Sequence, residues 1–474
     1  MAFEVGVGQN DGKARFAVAA HAFHPEPIAS DLARALVSEF VECSPTATQF
    51  AGELLAATGT RFRDALDVLS VGASDELERN LRGGGFVRIG ETDDAALWEH
   101  TTALFPLVEL RESDKPRAFV RVDSVVDFLE SSRRSPLVLE GEAGALVRRA
   151  LVADEGCELW VIERLAERRL ATKPSAVREG PGAALVERHL QAFRLRPRPL
   201  EDAALGFDAA LELVRAAQRD LGESPTCELF FDAERRFYTQ RNRAARVQKA
   251  RQDALGLGWF NRDHHTYRSS RAAFRSLVGV LEALGLHCRE RFYAGHEAGW
   301  GAQVMEHAGL GICVFADVDL SPEEVTGDFA HRGLAAREKL GTVGLWCELH
   351  GEAFGAAGMH HLECQFDFDA VRRQLVAAGV GVMPPFTDYP HLKQAFTEGE
   401  IWPVAPSRIE RARSLGLLSA EQAERLSREG ALGSHFEVLE RNEGYKGFNQ
   451  AGINKIIEAT DPRRQEKRTP SRAP

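Results

Sequence analysis

The stretch "DHHTYRSSRAAFRSLVGVLEALGLH", residues 263–287, carries the pattern that decides the fold. Its opening, "DHHTYRSS", predicts a short strand. From Arg271 onwards the apolar residues recur at helical spacing, and Gly285 ends the segment as a helix-terminating residue does. Three short strand patterns follow: "CRERFYA", "WGAQVMEH" and "GLGICVFADV". The predicted order is therefore β-α-β-β-β.

The same order recurs later in the chain. "HHLECQFDFD" (360–369) predicts a strand, and "AVRRQLVAAGV" (370–380) predicts a helix that ends at Gly379. A further strand is expected at "GVGVMP", and "SHFEVLER" (434–441) closes the unit after a long insertion. An internal repeat of this kind is evidence about architecture. We therefore expect an α+β fold in which paired βαβββ modules form an open barrel around a central site.

The rest of the chain predicts units of different composition. Residues 1–170 alternate helix and strand patterns, with a helix expected at "DAALWEHTTALF", and are assigned to an extra N-terminal mixed α/β domain of unknown role. Residues 171–224 combine a Pro- and Gly-rich linker with a helix. Residues 225–463 hold the repeat, and the polar, basic stretch 464–474 is expected to be a disordered tail.

Length, charge and composition limit the function classes. With 474 residues the chain predicts two or three domains, and 44% hydrophobic with 27% charged residues is typical of a soluble globular protein. A net charge of −11 argues against a general nucleic-acid binder, because phosphate binding needs a positive surface. No apolar run is long enough for a membrane span, and the N-terminus lacks a signal layout. Seven dispersed cysteines without a CxxC pair favour reduced thiols, so we expect a cytoplasmic protein.

Strand alternation limits which histidines can act together. Residues two apart share a face of a strand, so His264 lies with Arg268 while His265 points the opposite way. In the second strand His360 lies on an apolar face and His361 on a polar face. Alternation alone leaves open which face lines the interior, because the apolar face could equally pack on the helix.

The closing strand adds His435 and Glu437 on one face. Two imidazoles and one carboxylate from separate strands form the facial triad typical of Fe(II) and other divalent metals. Such a triad leaves positions open for substrate and oxygen. A lone histidine on a strand is usually structural, but two His-His pairs at equivalent places of a repeat favour a metal site.

Several segments together resemble a known family. "DHHTYRS", "GICVFADVDLSPEE", "MHHLEC", "PHLKQAFTEGE" and "HFEVLERNEGYKGFNQAGINKIIEATDP" resemble, in order, segments of the 2-oxoadipate dioxygenase/decarboxylase family of the vicinal oxygen chelate superfamily. "ELFFDAERRFYTQ" resembles the opening helix of that family. The resemblance covers residues 225–463 and leaves residues 1–220 without a counterpart.

The resemblance implies a ligand set, a cofactor and a substrate class. It aligns the first histidine of each pair with a family ligand, so the implied metal ligands are His264, His360 and Glu437. Arg268 matches the arginine that binds the substrate carboxylate, and Gln394 is a weaker candidate for the same pocket. The implied reaction is Fe(II)-dependent: O2 and a 2-oxo acid such as 2-oxoadipate give a hydroxy acid and CO2. Another divalent metal is the alternative.

Some roles and function classes stay open. His435 could be a hydrogen-bond partner or proton carrier at the centre, or could only line the pore, while His265 and His361 are expected to face away from the metal. Another metal-dependent reaction of the superfamily, extradiol ring cleavage or an isomerisation, also fits the pattern. So does a non-catalytic protein that binds a small acid. Metal content and oxygen uptake separate these classes, and neither nucleic acid nor a membrane is an expected partner.

Overall fold

The computed structural model describes residues 23–92, 95–199, 201–296, 298–387, 389–448 and 463. The strands in these ranges are β1 Leu66–Gly72, β2 Val87–Thr92, β3 Ala95–Glu99, β4 Leu107–Arg111, β5 Arg117–Arg121, β6 Val138–Glu140, β7 Val147–Asp154, β8 Glu158–Arg164, β9 Arg262–Arg268, β10 His287–Tyr293, β11 Trp300–His307, β12 Ile312–Asp319, β13 His361–Gln365, β14 Leu392–Phe396, β15 Glu400–Trp402 and β16 Ala431–Arg441. The helices are α1 Pro27–Glu42, α2 Pro45–Thr58, α3 Asp75–Gly83, α4 Val125–Ser132, α5 Ala183–Arg194, α6 Ala203–Leu221, α7 Glu223–Arg241, α8 Arg243–Asp253, α9 Phe274–Ala283, α10 Pro322–Thr326, α11 Thr342–His350, α12 Phe368–Ala377, α13 Pro406–Ser414 and α14 Ala420–Glu429.

The N-terminal strands form an eight-stranded sheet in the order β2-β3-β4-β1-β5-β8-β7-β6. Each half of this sheet runs strand, helix and three strands: first β1, α3 and β2 to β4, then β5, α4 and β6 to β8. The two halves meet where β1 pairs with β5 in antiparallel orientation. The N-terminal part is therefore itself a pair of βαβββ modules, whereas its sequence predicted only a mixed α/β domain.

The second sheet has the matching order β10-β11-β12-β9-β13-β16-β14, and β15 pairs with β16 outside this path. Its first module is β9, α9 and β10 to β12, and its second runs from β13 through α12 to β16. β9 and β13 pair in antiparallel orientation and join the two modules. The predicted paired βαβββ modules in an open arrangement are confirmed.

Two predicted elements differ from the structure. Residues Ala95–Glu99 form β3, where the alanines and the apolar spacing predicted a helix over 94–105. β3 pairs with strands on both sides, and this tertiary pairing outweighs the local helix propensity. "GVGVMP" contributes only an isolated bridge between Val382 and Thr397. Pro384 and Pro385 follow Met383 directly and cannot donate to a ladder.

The helices cover one face of each sheet and supply the apolar cores. In the second unit Tyr267, Leu362 and Val438 pack into the main core with residues of α7 and α9. In the first unit Val120 and Val161 pack with α1, α2 and α4. The face of each sheet that is turned away from these helices is called the inner face.

A buried charge cluster connects the two units. Glu228 on α7 accepts hydrogen bonds from Arg262 on β9, with Nη2 at 2.5 Å from Oε1 and 2.7 Å from Oε2. Arg121 on β5 and Arg235 on α7 donate to the same carboxylate, each at 3.2 Å. Because β5 belongs to the first sheet and β9 to the second, one carboxylate holds the two sheets together.

The remaining sequence predictions concern membrane-spanning segments, the cysteines, the C-terminal tail and the domain boundaries. No described helix combines the length and apolarity needed to cross a bilayer. The seven cysteines lie within the described residues and are free thiols. The tail predicted at 464–474 lies outside the described residues, and the domain boundaries stay predictions.

Candidate metal centre

Three neighbouring strands bring polar side chains to the inner face of the second sheet. Glu363 on β13 lies opposite both His264 on β9 and Glu437 on β16. Two residues earlier on β13, His361 lies opposite His435. Residues that oppose each other in a ladder share a face of the sheet. All five side chains therefore converge on one side, and all are buried.

His264 contacts a carboxylate through each ring nitrogen. Its Nδ1 is 2.8 Å from Asp263, and its Nε2 lies in hydrogen-bond contact with Glu363. The ladder between β9 and β13 is irregular at Asp263, and its carboxylate turns towards the ring of the next residue. Burial lowers the pKa of His264, but the charge of Glu363 and the hydrogen bond of Asp263 raise it above its usual value.

Asp263 is itself fixed by a buried arginine. Arg441 binds its carboxylate through Nε at 2.9 Å and Nη2 at 3.1 Å. Burial opposes the carboxylate charge, but this guanidinium and the hydrogen bond with His264 hold the pKa of Asp263 well below its usual value. An ionised Asp263 keeps the proton on Nδ1 of His264 and directs Nε2 towards the centre.

Glu363 and Glu437 form a buried pair of carboxyl groups. Burial, followed by the charge and hydrogen bond of Glu363, holds the pKa of Glu437 well above its usual value. Gln394 on β14 donates through Nε2 to Glu363 at 3.4 Å, so this predicted pocket residue lies beside the pair. Two buried carboxylates need a proton or a cation between them, because their charges repel in a low-dielectric interior.

His361 faces the centre. Its Nδ1 is 3.7 Å from Oε2 of Glu437, and its buried Nε2 has no hydrogen-bond partner among the described residues. Burial is the main cause that lowers its pKa well below the usual value, so the ring is neutral, the form that binds metals. The expectation that His361 faces away is not met, because β13 turns its polar face inward and buries Leu362 among the core residues.

His360 lies just before β13 and is tied to the backbone. Its Nδ1 donates to the carbonyl of Gly433 at 2.7 Å, and its ring contacts Trp346 at 5.3 Å between centroids. Its backbone N–H donates to Thr266, so the residue closes the ladder between β9 and β13. His360 therefore lies beside the centre, further along the sheet from Glu437 than His361 is.

Three overlapping groups of side chains have donor atoms that lie within 4.8 Å of one another inside each group. They are Asp263 with His264 and Glu363, His361 with Glu363 and Glu437, and His360 with His361 and His435. In the described part of the chain, neither the predicted set His264, His360 and Glu437 nor the same set with His361 in place of His360 forms a single group, whereas His361 and Glu437 do share one. Glu363 joins the first two groups, and sequence reasoning did not select it.

His435 is neutral and lies beside His361, with ring centroids 5.4 Å apart. Burial lowers its pKa to about 4, and its Nδ1 lies 3.3 Å from the carbonyl oxygen of Thr397. Its Nε2 has no partner among the residues that the structure describes. Both roles predicted for His435, a contact to a ligand and a pore-lining residue, are compatible with this position.

Arg268 lies four residues beyond His264 on the same face of β9. Its guanidinium carbon is 5.7 Å from the centroid of the Trp346 ring on α11. Asp317 on β12 is its neighbour in the parallel ladder. Burial raises the pKa of Asp317 to about 8, although the charge of Arg268 lowers it. A buried guanidinium next to an aromatic ring is suited to a carboxylate ligand.

An aromatic residue covers the other end of the centre. The ring of Phe448 packs 5.0 Å from His264 and 4.4 Å from Phe315 on β12. Arg441 donates to the carbonyls of Tyr445 and Gly447 and holds this segment against the sheet. The remainder of the segment that resembles the family ending, residues 449–462, lies outside the described residues.

The donors fit a divalent transition metal. Nε2 of His361 and Oε1 of Glu437 are buried without hydrogen-bond partners in the described ranges, so both atoms can bind a ligand. Nε2 of His264 faces the same carboxyl pair. A cation would replace the shared proton of that pair, because carboxylates and neutral imidazoles bind metals in their deprotonated forms. Imidazole and carboxylate together suit Fe(II), with Mn(II) or Zn(II) as alternatives.

A repeated His-x-Glu motif could have revealed the missed residues. His361-Leu-Glu363 and His435-Phe-Glu437 place the same two side chains at matching positions of adjacent parallel strands. In both strands, histidine and glutamate two apart share a face. The motif shows that the polar face of the second strand, rather than its apolar face, is the inward one.

The inner face of the first sheet is filled mainly by aromatic, aliphatic and arginine side chains. Phe119 on β5 stacks against Trp160 on β8 at 6.0 Å, and Arg149 lies over the Trp160 ring at 5.2 Å. Val68 and Leu107 complete an apolar filling. None of the potential metal-binding groups found among the described residues includes a member of this sheet.

Comparisons with known proteins give a weak likeness in fold. No family model and no curated protein sequence matches the chain. A mutant 4-hydroxymandelate synthase from Streptomyces coelicolor is 13% identical over 85% of this chain and 98% of its own, with a TM-score of 0.28. A xylose isomerase-like TIM barrel/4-hydroxyphenylpyruvate dioxygenase fusion protein is 12% identical over 85% of this chain and 53% of its own, with a TM-score of 0.26. Methylmalonyl-CoA epimerase from Mycobacterium tuberculosis is 13% identical over 38% of this chain and 88% of its own, with a TM-score of 0.21.

These TM-scores lie below 0.5 and carry no argument about activity. The chemistry of the centre therefore follows from the buried imidazole and carboxyl groups of the second sheet.

Proposed function

We propose that this protein is an Fe(II)-dependent dioxygenase that decarboxylates a 2-oxo acid to a hydroxy acid and CO2. The observation that supports the proposal most is the convergence of His264, His361 and Glu437 on one buried face of the second sheet. This set contains two imidazoles and one carboxylate, the donor combination of non-haem Fe(II) oxygenases. In this proposal His361 replaces His360, and another divalent metal is the alternative cofactor.

The residues of the chain have distinct tasks in this proposal. When bound, the metal supplies a Lewis acid and a template for O2. His264 and His361 would hold it through Nε2 and Glu437 through a carboxylate oxygen. Asp263 holds Nδ1 of the His264 ring, so Nε2 is the nitrogen that faces the centre and Glu363. Glu363 lies close enough to be a further ligand or to hold a proton at the centre.

Arg268 would bind the distal carboxylate of the substrate. It lies four residues from His264, about 13 Å between Cα atoms at about 3.3 Å per strand residue. Trp346 limits the motion of the guanidinium on one side. This placement would make Arg268 the residue that selects the substrate chain length, as the 2-oxoadipate resemblance implies.

Gln394 and His435 would act beside the reacting atoms. Gln394 donates to Glu363 and would hold that carboxyl group in place. His435 is neutral near pH 7 because burial lowers its pKa to about 4, so it would accept a hydrogen bond or relay a proton rather than supply a positive charge.

Oxygen uptake by Fe(II)-loaded protein across a panel of 2-oxo acids tests the proposed reaction. We expect 2-oxoadipate to be consumed with equal amounts of O2 taken up and CO2 released, because both oxygen atoms enter the products. The hydroxy acid should be one carbon shorter than the substrate. Metal binding without oxygen uptake on any 2-oxo acid would favour a binding protein or another reaction of the superfamily.

A pair of adjacent variants tests the ligand set. His361→Ala should remove Fe(II) binding, whereas His360→Ala should leave the metal stoichiometry unchanged, because only His361 lies in a donor group with Glu437. Metal content after anaerobic loading is the measurement, and circular dichroism checks that both variants fold. The reverse outcome, loss with His360→Ala alone, would restore the ligand set implied by the family resemblance.

A further inference from the structure

A second cluster of metal-binding side chains lies on the outer surface of the second unit. The chain between α10 and α11 passes the C-terminal end of α9. Phe329 and Ala330 in this segment are buried, and Phe329 stacks on Phe274 of α9 with ring centroids 5.8 Å apart. This apolar anchor fixes the backbone directly before His331. The position of His331 is therefore set by packing and not by surface charges alone.

His331 is held between two carboxylates. Its Nδ1 is 2.8 Å from Asp328, and its Nε2 is 2.8 Å from Glu282 near the end of α9. The thiol of Cys288 on β10 completes a group with Glu282 and His331 in which all donor atoms lie within 4.8 Å of one another. The ladder between β10 and β11 is irregular just after Cys288, where the strand bends.

The arrangement around His331 matches a metal-bound histidine. Such a histidine commonly donates its outer N–H to a carboxylate while the other nitrogen faces the ion. Here Asp328 would take the outer position, and Glu282 and Cys288 lie on the Nε2 side. Zinc binds sulfur at about 2.3 Å and nitrogen or oxygen at about 2.1 Å, which separates donors by about 3.5 Å in a tetrahedron. Glu282 would have to move from His331 by less than about 1 Å.

Charge and exposure are compatible with a cation. Glu282 and Asp328 are negative, and Arg291 is the cation that acts on both Asp328 and Cys288. A bound dication would favour the thiolate form of Cys288, which is the form that binds metals. The side chains of His331 and Glu282 remain 47% and 41% exposed, so an ion can reach them and a water can fill a fourth position.

We propose that Glu282, Cys288 and His331 bind a divalent ion of the zinc type, with Asp328 as the outer partner of His331. The ligand set differs from the first centre because it contains a thiolate, which favours zinc or cobalt over magnesium and calcium. The site links α9, β10 and the segment that leads to α11, three elements that otherwise meet through the Phe329 anchor.

Cobalt titration of the metal-free full chain tests this proposal. Bound Co(II) should give a near-ultraviolet thiolate-to-cobalt charge-transfer band, which a site built from histidine and glutamate alone lacks. Cys288→Ser should abolish the band and reduce the cobalt stoichiometry by one ion. The matched control is Cys43→Ser, which changes a partly exposed thiol of the first unit and should leave the band intact.

Two further variants keep the test decisive. His331→Ala changes an exposed side chain and should lose the band while the protein stays folded, and Asp328→Asn should weaken cobalt binding about 10- to 100-fold. A titration without the band, or a band that survives in Cys288→Ser, would mean that the cluster is only a surface ion-pair network. His361→Ala should retain the band, so failure of the first centre and of this site are distinguishable.

Discussion

The carboxyl group of Asp317 has a raised pKa and lies next to Arg268, the arginine that we propose binds the substrate. It is buried on β12 beside Arg268, and burial raises its pKa to about 8. At neutral pH this carboxyl group is largely protonated, so it adds little negative charge beside Arg268. A neutral Asp317 can also donate a hydrogen bond to the substrate carboxylate that we propose Arg268 binds.

Asp317→Asn should change how stability depends on pH. The folded pKa of about 8 exceeds the usual value of 3.8, so the folded state binds more protons between these values and wild-type stability falls as pH rises through that window. The asparagine variant lacks this fall, so its stability relative to wild type should increase with pH, by at most about 1.4 kcal/mol per unit. Urea unfolding of metal-free protein at about pH 5 and about pH 8 measures the difference. A pH-independent difference would contradict the assigned pKa shift.

At the scale of elements, the position of α11 depends on one aspartate. Asp319, the last residue of β12, accepts hydrogen bonds from the backbone N–H groups of Gly341, Val343 and Gly344 at 2.7 to 3.1 Å. These groups belong to the start of α11, where backbone donors have no partners within the helix. Trp346, two residues further on, is thereby placed against Arg268.

Asp319→Ala should destabilise the protein by about 1–3 kcal/mol, since three backbone donors at the start of α11 lose their acceptor. It should also weaken substrate binding more than metal binding, because α11 carries Trp346 and none of the proposed ligands. Denaturant unfolding and separate titrations with metal and 2-oxo acid measure these effects. Asp369→Ala is the control: its side chain is 62% exposed, and the expected change is within about 0.5 kcal/mol.

Element identity also shows where local patterns were insufficient. The strands and helices of the repeat follow from alternation and helical spacing, which the structure confirms for β9, α9, β13 and α12. Residues Ala95–Glu99 were predicted as helix because alanine favours helices, yet they form β3 between two partners. Partners distant in sequence decided this element, and a short apolar window carries no information about them.

At the scale of the whole molecule, two sheets of matching order are joined by buried charges. Arg121 of the first sheet and Arg262 of the second bind the same carboxylate, Glu228. A second contact runs from Arg164 on β8, which donates to Leu310 at 3.3 Å. The first unit therefore supports β9, the strand that carries His264, although none of the potential metal-binding groups among the described residues includes a side chain of the first sheet.

Glu228→Gln should cost about 3–5 kcal/mol, because three buried guanidinium groups lose the carboxylate that they share. The variant should also loosen the contact between the units. We therefore expect the two sheets to unfold in two separate transitions in the variant and in one transition in the wild type. Calorimetry and denaturant unfolding followed by tryptophan fluorescence measure this. A loss below about 1 kcal/mol with an unchanged transition would contradict the role of Glu228.

The sequence by itself determined the modular order of the second unit and which of its side chains share a strand face. Strand periodicity, the Gly-terminated helices and the paired histidines predicted the βαβββ repeat, and the family resemblance pointed to His264, Arg268 and Glu437. These features are local, because a strand fixes which side chains share a face within a few residues.

Only the tertiary structure decided which face turned inward and what joined it. The register between β9, β13 and β16 placed His361 and Glu363 beside His264 and Glu437, and it left His360 at the edge of the strand. Likewise the duplication of the module pair in the N-terminal unit became visible only in the strand order. The physical reason is the period of two in a strand: one residue of shift exchanges its faces, and the choice depends on packing against distant elements.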